Sequence, residues 1–180
     1  PQDIVLFPNS ASAFSAVMMG YPFEEGDNVI VVENDFPSTS LPFTTLRKEK
    51  NLKIIVLDQL RFYADPVGTL DAAITPKTRC FVTSFVGYMS GVRVPLERLA
   101  ETCRRHDVRI LVDGTQGVGV CPIDCSNWQL DFMVTSSYKW LMAPLGVAPA
   151  VIASNLRALL QPTSAGWLSV EDPNLMLNVD

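Results

Sequence analysis

VRILVDGTQGVG (108–119) is an apolar run that stops at a carboxylate and turns on glycines. Val108, Ile110, Leu111 and Val112 show almost no polar alternation, the composition of a parallel strand buried on both faces. Asp113 follows at the C-terminal end, the edge where open α/β sheets bind ligands. A second segment, DFMVTSSYKWLMAPLG (131–146), repeats the arrangement: an apolar run, hydroxyls at Ser136 and Ser137, then Lys139.

Outward from these two segments the same rhythm continues. Short Val- and Ile-rich runs predict strands over 3–7, 28–32, 53–57, 79–84, 108–112, 131–135 and 147–152, with helices over 11–20, 39–50, 67–74, 95–106 and 155–160. The strands lack polar alternation, so helices should cover both faces. The expectation is a three-layer αβα sandwich around a mostly parallel sheet of about seven strands. Only about ten residues join the last two strands, too few for a crossover helix, so the final strand is expected to run antiparallel. Helix 95–106 is the clearest: Pro95 reads as its first residue, and Leu96, Leu99, Ala100 and Cys103 form its inner stripe. Arg104, Arg105 and His106 sit at its C-terminal end, where the helix dipole favours cations.

Composition narrows the function. A chain of 180 residues, 48% hydrophobic and 18% charged, can bury a core as one domain. Net charge is −5, with no basic block to meet phosphates, so nucleic acid is not an expected partner. No apolar run approaches the ~20 residues that span a bilayer, so no membrane partner is expected. Cys80, Cys103, Cys121 and Cys125 are expected to be free thiols in a reducing, cytoplasmic setting. CPIDC (121–125) has no second Cys or His pair nearby, and no metal site is expected.

The strand ends carry the chemistry. PNSAS (8–12) opens a helix and offers Ser10 and the Ala11 amide at a positive helix terminus; alone it reads as an N-cap. Phe36 in ENDFPS (33–38) alone reads as a core aromatic. Ser84 and Tyr88 follow the fourth strand, Asp113 and Gln116 the fifth, and Ser136, Tyr138 and Lys139 the sixth. Of the five lysines, Lys48, Lys50 and Lys53 lie in a charged segment and Lys77 in a polar turn, whereas Lys139 has apolar neighbours. Desolvation by those neighbours should disfavour its ammonium form and make it a nucleophile toward carbonyls. Hydroxyls, a flat ring, a carboxylate, an amide and an amine at five strand ends match what pyridoxal 5'-phosphate (PLP) requires. Its phosphate needs donors, its ring an apolar partner, its pyridine nitrogen a carboxylate and its aldehyde an amine.

The segments SFVGYMSGVRVPLERLAETCRRHDVRILVDGTQGVGVCPID (84–124), DFMVTSSYKWLMAPLGVAPAVI (131–152) and GWLSVEDP (166–173) resemble the class V aminotransferase family of fold-type I PLP enzymes. The likeness runs over nearly the whole chain, is closest to its isopenicillin N epimerase-like branch, and extends to the cysteine desulfurases. It implies that Lys139 forms a Schiff base with the cofactor and shuttles a proton at the substrate's Cα. It further implies that Asp113 pairs with the ring nitrogen and Gln116 bonds the phenolic oxygen. Ser10, the Ala11 amide, Ser136 and Tyr138 would hold the phosphate, Phe36 would stack on the ring, and Tyr88 would stand near cofactor or substrate.

The implied activity is an aminotransferase or epimerase acting on a small-molecule amino acid, in a homodimer. Desulfurases place a histidine where this chain has Phe36, and the one histidine, His106, lies in the charged segment RRHDVR, so desulfurase chemistry is disfavoured. Family members are longer, which makes residues 1–160 a PLP-binding large domain lacking its N-terminal segment. Residues 161–180 would be a linker toward an absent C-terminal small domain, which in the family supplies the arginine for the substrate carboxylate. The arginines here read as helix-face, turn or strand-edge charges. An alternative is a truncated, catalytically silent domain that acts only in binding or association. A nucleotide-binding reading is weaker, because no GxGxxG follows the first strand.

Overall fold

A computed structural model describes residues 3–166 and Ser169. Seven strands form one sheet: β1 (Ile4–Phe7), β2 (Asn28–Val32), β3 (Lys53–Leu57), β4 (Thr78–Ser84), β5 (Arg109–Asp113), β6 (Phe132–Val134) and β7 (Ala148–Ile152). Their order is β1-β7-β6-β5-β4-β2-β3. All neighbours are parallel except β7, which runs antiparallel to both β6 and β1. Six strands therefore end at the same edge.

The helices are α1 (Ser10–Gly20), α2 (Pro42–Glu49), α3 (Gln59–Ala64), α4 (Pro66–Ala73), α5 (Leu96–Arg105), α6 (Cys125–Trp128) and α7 (Ser154–Arg157). On one face, Phe14, Val17 and Met18 of α1 and Phe43 and Leu46 of α2 pack on Val29, Val31, Val82 and Leu111. On the other, Phe62 of α3, Leu70 of α4 and Leu96, Leu99, Ala100 and Cys103 of α5 pack on Ile30, Phe81, Ile110 and Val112. Each large side chain so buried contributes about 1.5–3 kcal/mol against exposure. The alternate residues of each central strand feed opposite cores, which explains the missing polar alternation.

The structure corrects several boundaries. The expected helix over 39–50 divides into a 3-10 turn at Pro37–Thr39 and α2, because Pro42 has no N–H to carry a helix through and instead opens a new one. Pro95 is the cap of α5, outside the helix at φ −80° and ψ 76°, and not its first residue. α3 and the single-turn α6 were not expected; α3 buries only Phe62, and α6 buries no residue. Coverage of both faces holds for the central strands only: at the edges, Ile4 and Leu6 of β1 and Val56 of β3 are exposed. No helix among the described residues is long and apolar enough to cross a membrane. Most of 161–180, read above as a linker, lies outside the described residues.

Candidate active site

The C-terminal edge of the parallel strands brings together side chains from five of them. Ser10 follows β1, Phe36 follows β2, and Ser84 closes β4 with Val86 and Tyr88 beyond it. Asp113 closes β5 with Thr115 and Gln116 beyond it, and Ser136, Tyr138 and Lys139 follow β6; together these residues line one cleft. Of the residues expected from the sequence, Ala11 alone does not line it; it is exposed, one residue beyond Ser10 on α1.

Asn9 is the N-cap of α1, and its Oδ1 accepts the Ser12 N–H at 2.8 Å. Ser10 is thus the first helical residue and not the cap. The N–H groups of Ser10 and Ala11 have no hydrogen-bond partner among the described residues. Such amides at a helix start attract anions. The Ser136 hydroxyl donates to Ser10 Oγ at 3.1 Å, and both serines are buried.

Asp113 is 4% exposed at the bottom of the cleft. Burial pushes its carboxyl above the usual carboxylate range, against hydrogen bonds from the Thr115 hydroxyl and amide; the Asp35 charge adds to the rise and the Lys139 charge opposes it. The Thr115 N–H reaches Asp113 Oδ1 at 2.8 Å, and Thr115 Oγ1 accepts the Ser136 N–H at 3.0 Å. One threonine thereby links the ends of β5 and β6.

Lys139 reaches this cleft without the apolar shield expected for it. Trp140, Leu141 and Met142 are all exposed, Met142 by 89%, while Lys139 is half-buried. Its apolar sequence neighbours lie on the surface, and what surrounds the lysine comes from other strands. Its carbonyl accepts the Met142 N–H at 3.0 Å, while its side-chain amine makes no hydrogen bond or ion pair among the described residues. Phe36 and Tyr88 meet edge to face, 5.5 Å between ring centroids, on the opposite wall. Gln116 Oε1 accepts the Trp140 Nε1–H at 3.2 Å, which leaves the amide N–H groups of Gln116 free to donate.

Thr115 and Asp35 were not anticipated from the sequence. Thr115 sits inside DGTQ, where it reads as a turn residue. Asp35 accepts the N–H and O–H of Ser84 at 2.7 and 2.5 Å and the Phe36 N–H at 2.7 Å. In ENDFPS it also reads as a turn residue, and no sequence signal reveals that the end of β4 closes over it.

A larger cavity of about 530 Å³ opens at the opposite edge of the sheet around Arg109 and Asp131. It is a poorer site. Its Asp131 is occupied by Arg109, the Ile110 amide and Asn155, and burial pushes its Cys125 thiol up, away from the nucleophilic thiolate. His106, far from the cleft, bonds Asp71 Oδ1 at 2.9 Å.

The model of the aminotransferase class-V family matches residues 1–178. Isopenicillin N epimerase of Streptomyces clavuligerus is 25% identical over 170 residues, which is 93% of this chain and 43% of that protein. Hercynylcysteine sulfoxide lyase of Schizosaccharomyces pombe is 22% identical over 169 residues, 91% of this chain and 43% of that protein. Among solved structures, a C-DES mutant with glycine covalently linked to its PLP cofactor superposes with a TM-score of 0.88 at 25% identity, over 93% of this chain and 45% of its own. The chain spans about 43% of the length of the curated relatives it matches.

Proposed function

Since this chain belongs to the aminotransferase class-V family, whose members use PLP, we propose that it is the cofactor-binding part of a PLP-dependent enzyme acting on an amino acid. The observation that carries this reading is the cleft itself, where an unpaired lysine, a buried carboxylate, two buried serines and an aromatic wall meet at one edge of the sheet.

The residues fit the cofactor. Unpartnered N–H groups at the start of α1 and the paired hydroxyls of Ser10 and Ser136 form a donor set for a phosphate. PLP supplies an aldehyde for an amine and a ring that draws electron density from the substrate's Cα. Lys139, whose side-chain amine has no partner among the described residues, would be the amine for the aldehyde and would carry the proton at the substrate's Cα. Asp113 would hold a proton at the ring nitrogen, and a carboxyl held above its usual range is a strong acceptor for that task. Gln116 donates to the phenolic oxygen, and its orientation is set by Trp140. Phe36, which lines the cleft against Tyr88, would offer the ring its apolar face and, lacking an ionisable group, would move no proton. Proton transfer at Cα therefore falls to Lys139, which suits epimerisation or transamination of the substrate.

Mixing the purified chain with PLP is expected to give the yellow absorption of lysine-bound cofactor. Borohydride followed by peptide mapping should find the cofactor on Lys139, and Lys139→Ala should abolish the band. A band unchanged in Lys139→Ala defeats the assignment.

A second reading rests on the 43% coverage of the relatives. The chain by itself binds the cofactor and turns over nothing. Racemisation and transamination assays across a panel of amino acids separate the two, since turnover by the 180-residue chain removes the silent reading. Assembly as a homodimer in the cytoplasm belongs to the same proposal; light scattering tests the dimer, and a clean monomer contradicts it.

A further inference from the structure

Asp35 stands behind the cleft, and the proposed chemistry gives it no part. Its carboxylate takes the backbone N–H of Ser84 at 2.7 Å, the Ser84 hydroxyl at 2.5 Å and the N–H of Phe36 at 2.7 Å. Ser84 is the last residue of β4 and pairs in register with Asp113, the last residue of β5. Register partners on adjacent parallel strands turn their side chains to the same face, about 5 Å apart. The side chain of Ser84, which holds Asp35, and that of Asp113 are therefore neighbours on one face, and the Asp35 charge acts on Asp113. Burial pushes the Asp35 carboxyl above its ordinary value despite its three donors.

We infer that Asp35 is a positioning residue of this cleft: it ties the segment bearing Phe36 to the end of β4, turns the Ser84 hydroxyl hydrogen toward itself, and adds a second anionic charge behind Asp113. The inference rests on reading Asp113 as the partner of the cofactor's ring nitrogen. Two carboxylates favour a proton on that nitrogen more than one does. Because the Ser84 hydrogen is committed to Asp35, Ser84 Oγ offers the cleft acceptor lone pairs only. The titratable groups around Asp113 are Asp35 beyond β2, Tyr88 beyond β4, and Tyr138 and Lys139 beyond β6. Asp35 and Lys139 act on it by charge, in opposite senses.

Carboxyl-carbon NMR of the cofactor-free chain, followed against pH, tests this directly. In Asp35→Asn the Asp113 midpoint is expected to fall by about one pH unit, as removal of a nearby like charge requires. Asp35→Glu, which keeps the charge, should hold the midpoint near the wild-type value, and Lys139→Ala should raise it. An Asp113 midpoint unmoved by Asp35→Asn overturns the inference. Should that variant fail to fold, the wild-type chain decides: coupled carboxyls titrate as a pair, so the Asp113 resonance must show a second inflection where Asp35 titrates. A single-step curve overturns the inference equally. With PLP added, Asp35→Asn is expected to bind about tenfold more weakly while keeping the lysine-bound absorption, a loss of one charge contact's worth. If the wild type takes up no PLP while Asp113 still responds to Asp35→Asn, the proposed function fails and the coupling of the two carboxyls stands.

Discussion

The Ser136 hydroxyl donates to Ser10 Oγ at 3.1 Å, joining two positions 126 residues apart in the chain. The contact exists because β1 lies across β7 from β6, so the start of α1 and the loop after β6 converge at one edge. Neither hydroxyl has another partner among the described residues, and both are buried, an arrangement that leaves donor capacity facing the cleft. Ser10→Ala is expected to weaken PLP binding by roughly ten- to a hundredfold, since a hydrogen bond to a charged group is worth about 1.5–3 kcal/mol. Titrating PLP against tryptophan fluorescence measures it. In the cofactor-free chain the variant also leaves the buried Ser136 hydroxyl without its acceptor, so a stability loss of about 1–3 kcal/mol is expected as well. Equal PLP affinity in both proteins would remove Ser10 from the phosphate site.

Asp113 makes the pH dependence of stability run opposite to that of a salt-bridged carboxylate. Its folded value lies above the ordinary 3.8, so the fold favours the protonated form. The stability this confers is full below the unfolded value and is lost as pH rises through the raised folded value. Above the unfolded value the burial of this carboxyl therefore costs stability, and Asp113→Asn removes that cost while keeping an oxygen for the Thr115 N–H. The variant is expected to melt higher at neutral pH, where each ~1 kcal/mol moves the midpoint of a chain this long by about 2–4 °C. The difference should vanish on acidification below the unfolded value. Calorimetry at several pH values checks this, and PLP affinity of the same variant should fall.

How much of this was legible from sequence depends on where each residue's environment comes from. The bounds of β2 and β3 are legible to the residue because their apolar runs are continuous and bounded by polar turns, so local composition carries the whole signal. The five strand ends that line the cleft followed from the same reading, since the end of a parallel strand is a local fact. Lys139 stands out in the sequence through its apolar neighbours, which are exposed in the fold; the enclosure of the lysine is tertiary and invisible in the segment itself. Asp35 and Thr115 were missed for the same reason: each is a polar residue in a turn until another strand end closes on it. α3 was missed because QLRFYA has one buried residue and hence no period to detect.

Arg79 and Asp27 form an ion pair at the other edge of the sheet, 3.0 Å long, with Asp27 only 1% exposed and Arg79 one-third exposed. Asp27 also accepts the Glu24 N–H at 2.9 Å, closing the turn that delivers β2. Removing the arginine leaves a carboxylate buried with one backbone donor, and such losses are costly. Arg79→Ala is expected to destabilise the chain by about 1–3 kcal/mol, below the range for a fully buried pair because the arginine is partly solvated. Denaturant unfolding measures it, and Arg79→Lys should recover only part of the loss. A neutral Arg79→Ala would mean that water replaces the guanidinium without penalty.

Gly119 couples the glycine-rich loop after β5 to the segment that carries Lys139. Its φ is +100°, a region that side-chain-bearing residues rarely adopt, and a Cβ there would stand 2.9 Å from the Trp140 carbonyl oxygen. Alanine would add backbone strain of about 1–3 kcal/mol and push the Trp140 backbone away. Because Trp140 adjoins Lys139 and holds Gln116 through its indole N–H, the displacement should reach the cleft. Gly119→Ala is expected to lower both stability and PLP affinity. Gly146, also at positive φ (+92°) but with open space where its Cβ would lie, is the control: Gly146→Ala should carry strain without moving Trp140. Measured side by side, a loss of PLP affinity confined to Gly119→Ala assigns the effect to the Trp140 contact. Equal losses in the two variants would assign it to general loosening of the loops.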